Sequence, residues 1–357
     1  MVKEHLFQWI DQRFEIGAFI EFLKKKRVPH GKGWYWYYFG GVALFLFIIQ
    51  VVTGILLLLY YKASADSAFE SIRFIMSQVE FGWLIRSLHT WSANLMLLAI
   101  FIHMFSVFFL GAYKKPRELT WVTGFFLLLL AMFFGFSGYL LPWNELSYFA
   151  TKVGTDIIGV IPVVGKGVMT LLRGSEEVTG ATLPRFYGIH VAVLPILFFI
   201  LLSAHLLFIQ IQGMHEPKGW DKLSEEKKIY IPFFPNFILR DLLLWLIVLN
   251  ILAFLAVFFP WELGEKANLF ASAPAGIKPE WYFMFMFETL KFIPAKVWVI
   301  DGELLGILAF GIGGLVWLLI PFIDKTEEGT VRSRTVKIGG LFVVAFIVIM
   351  TALGYLL

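Results

Sequence analysis

RSLHTWSANLMLLAIFIHMF, residues 86–105, decides how this chain folds. After Arg86 it carries no formal charge, yet it holds two histidines, His89 and His103, fourteen positions apart. At about 100° per residue, fourteen helical steps return to within roughly 40° of the starting direction. The two imidazoles therefore share one helix face, about 21 Å apart at ~1.5 Å of rise per residue. The stretch FYGIHVAVLPILFFILLSAHLLF, residues 186–208, repeats the pattern with His190 and His205, fifteen apart. These two lie within about 60° of one face and roughly 22 Å apart. Two such helices facing each other across a bundle stack two two-histidine sites, one near each side of a bilayer.

The rest of the composition agrees with a membrane setting. Of 357 residues, 59% are hydrophobic. Apolar runs of this length satisfy their backbone in lipid only as helices, so the expected fold is an all-α integral membrane protein: a four-helix bundle followed by three further spans. The polar, basic N-terminus lacks the short apolar core and cleavage site of a secretory signal. Cysteine is absent, which excludes disulfides, cysteine-ligated clusters and a thioether-tethered haem on this chain.

Residues 1–37 read as a surface module. Leu6, Phe7, Ile10, Phe14, Phe19 and Leu23 recur at helical spacing over residues 5–23, followed by Lys24-Lys25-Lys26-Arg27 and the aromatic belt Trp34–Tyr38. This pattern predicts an amphipathic helix lying on the membrane. Residues 38–212 hold four spans, near 39–60, 84–110, 121–141 and 185–212, with surface helices expected over 142–184 and a kink at Pro195. Residues 213–240 are polar and lysine-rich and read as a weakly bound join. Residues 213–357 add three spans, near 242–259, 304–323 and 338–356. Lysine and arginine concentrate in the N-terminal segment and in the loops 114–117, 213–240 and 324–337. By the positive-inside rule these are cytoplasmic. The N-terminus is then inside and the C-terminus outside, with both long connections, 142–184 and 260–300, outside too.

A lone membrane histidine is often a hydrogen-bonded packing residue. Four at matched depth on two helices point instead to function, because ionisable groups inside a membrane are costly. Two facing neutral imidazoles supply both axial ligands of a low-spin haem, which then transfers electrons and has no open position for oxygen. Gly40 and Gly54, and Gly124 and Gly138, are also fourteen apart. Close helix contact explains any single glycine. Two pairs repeating the histidine spacing suit a flat macrocycle that needs a helix without a side chain beside it.

These residues resemble cytochrome b of the cytochrome bc complexes, the cytochrome b/b6 family. FGWLIRSLHTWSA, KKPRELTWVTG, GYLLPW, IPVVGKGVMTLLRGS and TLPRFYGIH are similar to the photosynthetic, split-chain type. IPFFPNFILRD and IKPEWYF resemble the family's C-terminal part, here fused to the first. The resemblance implies two non-covalent b haems, with metal ligands His89 and His190 outside and His103 and His205 inside. Gly40, Gly54, Gly124 and Gly138 would make room for the porphyrins. Arg86 and Arg185 are candidate propionate partners, although interfacial anchoring explains an arginine equally well.

The resemblance also places Glu280 and Tyr282, with Tyr139 and the 142–165 stretch, at an outer quinol-oxidation site. A quinol that gives up two electrons must lose two protons, and a carboxylate at a membrane-interface pocket suits as acceptor, since burial raises its pKa. Without the resemblance Glu280 would read as a solvated loop acid. Arg240-Asp241 matches an inner quinone-site pair, and reads equally as a helix start. Gln210, beyond His205, stands where a basic residue is usual, and Ser106 where an arginine is frequent. Tyr38 stands where the split-chain type carries a cysteine holding an extra haem, so no covalent haem is expected here. Many respiratory members have an eighth span.

The function implied is the cytochrome b subunit of a quinol:cytochrome c oxidoreductase in a bacterial-type cytoplasmic membrane. Its partners would be a Rieske iron–sulfur protein, a c-type cytochrome, membrane lipid and a second copy of the complex, with no role for nucleic acid. Two other readings remain open at this point. One is a dihaem anchor for a dehydrogenase, which needs neither PEWY nor the long outer connection. The other is a transporter using histidine proton relays, which predicts a colourless protein.

Overall fold

A computed structural model describes residues 2–31, 33–217, 219–274, 276–327 and 330–357. Two short helices, α1 (Val2–Phe14) and α2 (Ile16–Lys25), replace the single surface helix expected over 5–23. Glu15 between them takes a left-handed backbone with φ 50°, which breaks the helical ladder. Leu6, Trp9 and Phe14 are exposed, as suits a segment lying on lipid. The side chains of Phe7 and Phe19 lie outside those described. Strand β1 (Arg27–Pro29) follows.

The first span is α3 (Tyr38–Leu58), which starts straight after a 3-10 turn over Trp34–Tyr37. Helix α4 (Ala68–Gln78) runs ahead of the second span, α5 (Gly82–Leu110). Gly111 ends α5 at φ 77°, a left-handed position that lets its N–H reach Phe108 O at 3.0 Å and that of Ala112 reach Val107 O at 2.9 Å. The third span is α6 (Glu118–Leu140). The surface helices expected over 142–184 are α7 (Glu145–Gly159) and α8 (Gly165–Arg173). Asn144 caps α7 by accepting from Ser147 N–H at 2.9 Å.

The fourth span, α9 (Thr182–Gln212), is continuous but contains a π turn over Ile189–Val193. Pro195 stands just beyond it, and its ring would crowd the carbonyl of residue 191 in a regular α-helix. The widened turn relieves that conflict and takes in one extra residue. Strand β2 (Tyr230–Pro232) pairs antiparallel with β1, Val28 opposite Ile231. The join at 213–240 is therefore pinned, not loose as its composition suggested. Arg117 pins it further by donating to the carbonyls of Gln212, Gly213 and Met214.

The fifth span covers Phe233–Phe258, a turn leading into α10 (Ile238–Phe258), and so begins nine residues before the expected 242. Helix α11 (Trp281–Phe292) lies in the following connection and precedes the hairpin β3 (Lys296–Val297) and β4 (Ile300–Asp301). The chain ends with α12 (Gly302–Ile323) and α13 (Val331–Leu356). Among the described residues, seven helices are long and apolar enough to cross a membrane.

The central core packs α3, α5, α6, α9 and α10 through Leu46, Met96, Leu97, Leu128, Phe198 and Leu252, together with Tyr282 from α11. At one end the two long connections meet: Glu145 N–H donates to Glu265 O at 2.9 Å and Ala267 N–H to Trp143 O at 3.1 Å. At the other end the basic loops meet. Lys114 pairs with Asp324 at 3.0 Å, and Asp324 also accepts from Tyr113.

Candidate functional site

All four histidines face a glycine on the neighbouring helix. A methyl group built on Gly54 of α3 would sit 3.4 Å from Cε1 of His89, and one on Gly40 would sit 3.1 Å from Cε1 of His103. On α6, Gly138 stands 2.7 Å from His190 by the same measure and Gly124 stands 3.2 Å from His205. Helices α3 and α6 thus present matched cradles to α5 and α9. His89 and His190 form one electrostatically interacting pair, and His103 and His205 the other.

The unequal histidine spacing now has a physical reason. His190 sits inside the π turn, so α9 holds one more residue between its two histidines than α5 does, while both helices serve the same two levels.

Sequence reasoning missed the groups on the other ring nitrogen. Thr53 Oγ1 lies 2.8 Å from His89 Nδ1, Thr123 Oγ1 3.0 Å from His205 Nδ1, and Ser137 Oγ 3.0 Å from His190 Nδ1. Each is the residue just ahead of a cradle glycine, a signal visible in the sequence as Thr-Gly, Thr-Gly and Ser-Gly. Gln50 fixes the backbone nearby, donating to His89 O and Ser92 Oγ at 2.5 Å each. Hydrogen bonds at Nδ1 leave Nε2 of these rings free to coordinate a metal. Among the described residues no group of three or more histidines, cysteines and acids could hold a metal. Each level offers two imidazoles and a cleared helix face, which fits a planar macrocycle held from both sides. Stability alone is a poor account of the arrangement, because a hydrogen bond between membrane helices contributes on average only about 0.6 kcal/mol.

Near one end of the bundle, Glu280 lies at the start of α11, with Tyr139, Tyr282 and Tyr355 in its electrostatic neighbourhood. Burial pushes the Glu280 carboxyl up. Burial also raises the Tyr282 hydroxyl, with Glu280 adding to the effect. The Tyr282 hydroxyl occupies the space a side chain would take at Gly135. Trp281 Nε1 donates to Asn94 Oδ1 at 2.9 Å, fixing α11 against α5. Tyr355 comes from the last span, a juxtaposition no local motif announces.

Arg86 donates to Trp261 O at 2.6 Å and Glu262 O at 3.2 Å, so its guanidinium anchors the second long connection. Arg185 fills the space left by Gly174. At the opposite end, Gly41 makes room for Asp241, both of whose carboxylate oxygens lie 2.6 Å from a built Cβ. Asp241 Oδ1, Tyr38 Oη and Trp245 Nε1 are buried, with Tyr38 and Trp245 in the electrostatic neighbourhood of Asp241. The Arg240 guanidinium stacks 5.3 Å over the Trp34 ring. Gln210 accepts a hydrogen bond from Lys26 of the N-terminal segment.

Residues 25–213 match the family described as cytochrome b/b6/petB, and residues 266–356 match cytochrome b(C-terminal)/b6/petD. The chain belongs to the cytochrome b/b6 family. It is 50% identical over 344 residues to a cytochrome bc complex cytochrome b subunit of Chlorobaculum thiosulfatiphilum, covering 96% of this chain and 79% of that protein. It is 44% identical to a cytochrome b6 of Synechococcus sp. (strain JA-3-3Ab), which it covers over 98% of that protein's length with 59% of its own. A solved structure titled hyperthermophilic respiratory Complex III superposes with a TM-score of 0.82 at 31% identity, covering 98% of this chain and 95% of that one. Membership of this family of membrane cytochromes brings haem b and electron transport to the fold described above.

Proposed function

We infer that the chain is the cytochrome b subunit of a quinol:cytochrome c oxidoreductase, as its bc-complex relative and its Complex III neighbour suggest. The observation that carries this reading is the fourfold glycine–histidine cradle at two levels. Residues 1–37 form a surface module, 38–212 the dihaem bundle and 213–357 the quinol-loop module. The chain sits in a bacterial-type cytoplasmic membrane, N-terminus inside and C-terminus outside. A Rieske protein, a c-type cytochrome and a second copy of the complex are its partners.

His89 and His190 would hold one non-covalent b haem and His103 and His205 a second, and the pair would supply one-electron carriers. The chain's own residues handle the protons. Glu280, whose carboxyl burial pushes up, accepts one from the quinol hydroxyl as the quinol is oxidised at the outer site, and Tyr139 and Tyr282 wall that pocket. One electron would pass to the Rieske partner and the other, between the two histidine levels, to the inner site. There Asp241, with a buried carboxylate oxygen, delivers protons to quinone, and Arg240 steadies its oxygen. Gln210 sits at the edge of that site. Protons released outside and taken up inside build the gradient.

A redox-titrated visible spectrum of the purified protein, with haem extraction, tests the reading. Two extractable low-spin b haems per chain with separate midpoints are expected. One haem would mean that one histidine pair is structural, and a colourless protein would sink the assignment.

A further inference from the structure

The four cradles are built alike except at one position. The residue ahead of the cradle glycine puts a hydroxyl on Nδ1 of His89, His205 and His190, at 2.8, 3.0 and 3.0 Å. Ahead of Gly40 stands Phe39, and His103 Nδ1 is buried with no hydrogen-bond partner. We propose that this position sets how much electron density each histidine delivers to a bound haem iron, and that Phe39 makes the His103 level the more oxidising of the two. The inference rests on the haem binding of the proposed function.

The chemistry follows from the tautomer. An imidazole that coordinates through Nε2 carries its proton on Nδ1. Donating that proton to an acceptor makes the ring a stronger base and a better electron donor to the metal. A richer donor stabilises the oxidised iron and lowers its potential. His89 and His190 both have a hydroxyl on Nδ1. On the inner level only His205 does. An electron delivered to the outer level therefore runs downhill to the inner one.

The backbone beside the His103 level differs from that of α6 as well. His190 and His205 also lie beside the carbonyls of Phe134 and Thr120, each one turn ahead of its glycine on α6. The equivalent residue ahead of Gly40 is Trp36. It lies within the 3-10 turn that precedes α3, outside the α-helical register. Phe39 itself packs against the Trp36 ring, centroids 5.6 Å apart.

The test uses the complete protein in its native membrane and reads both haem midpoints by redox-titrated visible spectra. Phe39→Thr is expected to lower the midpoint of the higher-potential haem alone. Thr53→Val is expected to raise that of the lower-potential haem alone, so each variant narrows the gap. Phe39→Leu, which changes packing but adds no hydroxyl, is expected to leave the gap in place. Two bound haems whose midpoints ignore both Phe39→Thr and Thr53→Val would overturn the inference, as would Phe39→Leu acting like Phe39→Thr. If Phe39→Thr fails to assemble, Thr53→Val decides by itself. Absence of haem from the unaltered protein would instead remove the proposed function.

Discussion

Gly138, Gly40, Gly124 and Gly54 leave progressively more room beside their histidines, with built Cβ atoms 2.7, 3.1, 3.2 and 3.4 Å from the ring. The first is a hard clash and the last an ordinary contact. Alanine substitutions should therefore follow that order: Gly138→Ala should leave about one haem per chain, Gly54→Ala close to two, in a haem-extraction assay. Equal losses at all four positions would contradict the cradle geometry. Glu280 makes a pH prediction. Burial raises its carboxyl, so the neutral form is favoured in the fold. Its stabilising contribution is complete below the ordinary carboxylate range and is lost as pH rises through the raised value. The proton-accepting form appears over the same rise, so quinol oxidation should accelerate with pH there. Glu280→Gln should abolish that limb and slow turnover by about 10²-fold, the low end for a positioned general base. A pH–rate profile that keeps its shape in the variant would remove Glu280 from proton transfer.

At the scale of elements, the spans were legible because uninterrupted apolar runs have one solution in lipid. Their ends were less so. Arg240 and Asp241 stand ahead of the expected start at 242, yet the helix runs through them, and Gly41 leaves a niche for the carboxylate. Arg332, Arg334 and Lys337 likewise masked the first two turns of α13. The histidines announced themselves by periodicity, whereas Thr53, Thr123 and Ser137 act across helices, and a one-dimensional period does not report which faces meet. Tyr355 was out of reach for the same reason. The link between α12 and α13 carries its own prediction. Burial alone would push Asp324 up, but hydrogen bonds from Thr326, Tyr113 and Lys114 outweigh it and hold the carboxyl at about 2. That contribution is present above the ordinary carboxylate range and is lost as pH falls through about 2. Asp324→Asn should cost about 2 kcal/mol, the worth of hydrogen bonds to a charged group, read as a lower thermal-unfolding midpoint at neutral pH.

At the scale of the whole molecule, the seven candidate spans among the described residues would place the two ends of the chain on opposite sides. The absence of cysteine makes this directly testable with single introduced thiols. Ser224→Cys, in the exposed connection over 213–240, should react with an impermeant maleimide only from the cytoplasmic side if the proposed topology holds, and Lys166→Cys on α8 only from outside; the reverse pattern would invert the topology. The meeting of the two long connections and the separate meeting of the basic loops already sort the termini of the spans into two faces. The pairing of β1 with β2 has one more consequence. It laces the segment before the first span to the segment before the fifth, and the two halves are also joined by Ser87 to Ala256 O at 2.9 Å, Trp91 to Phe259 O at 2.8 Å and Trp121 to Trp317 O at 3.0 Å. The peptide bonds between those halves are thus redundant as a fastening. Nicked between Leu223 and Ser224, the protein should stay assembled as a two-piece machine, its halves migrating together in detergent and keeping their colour.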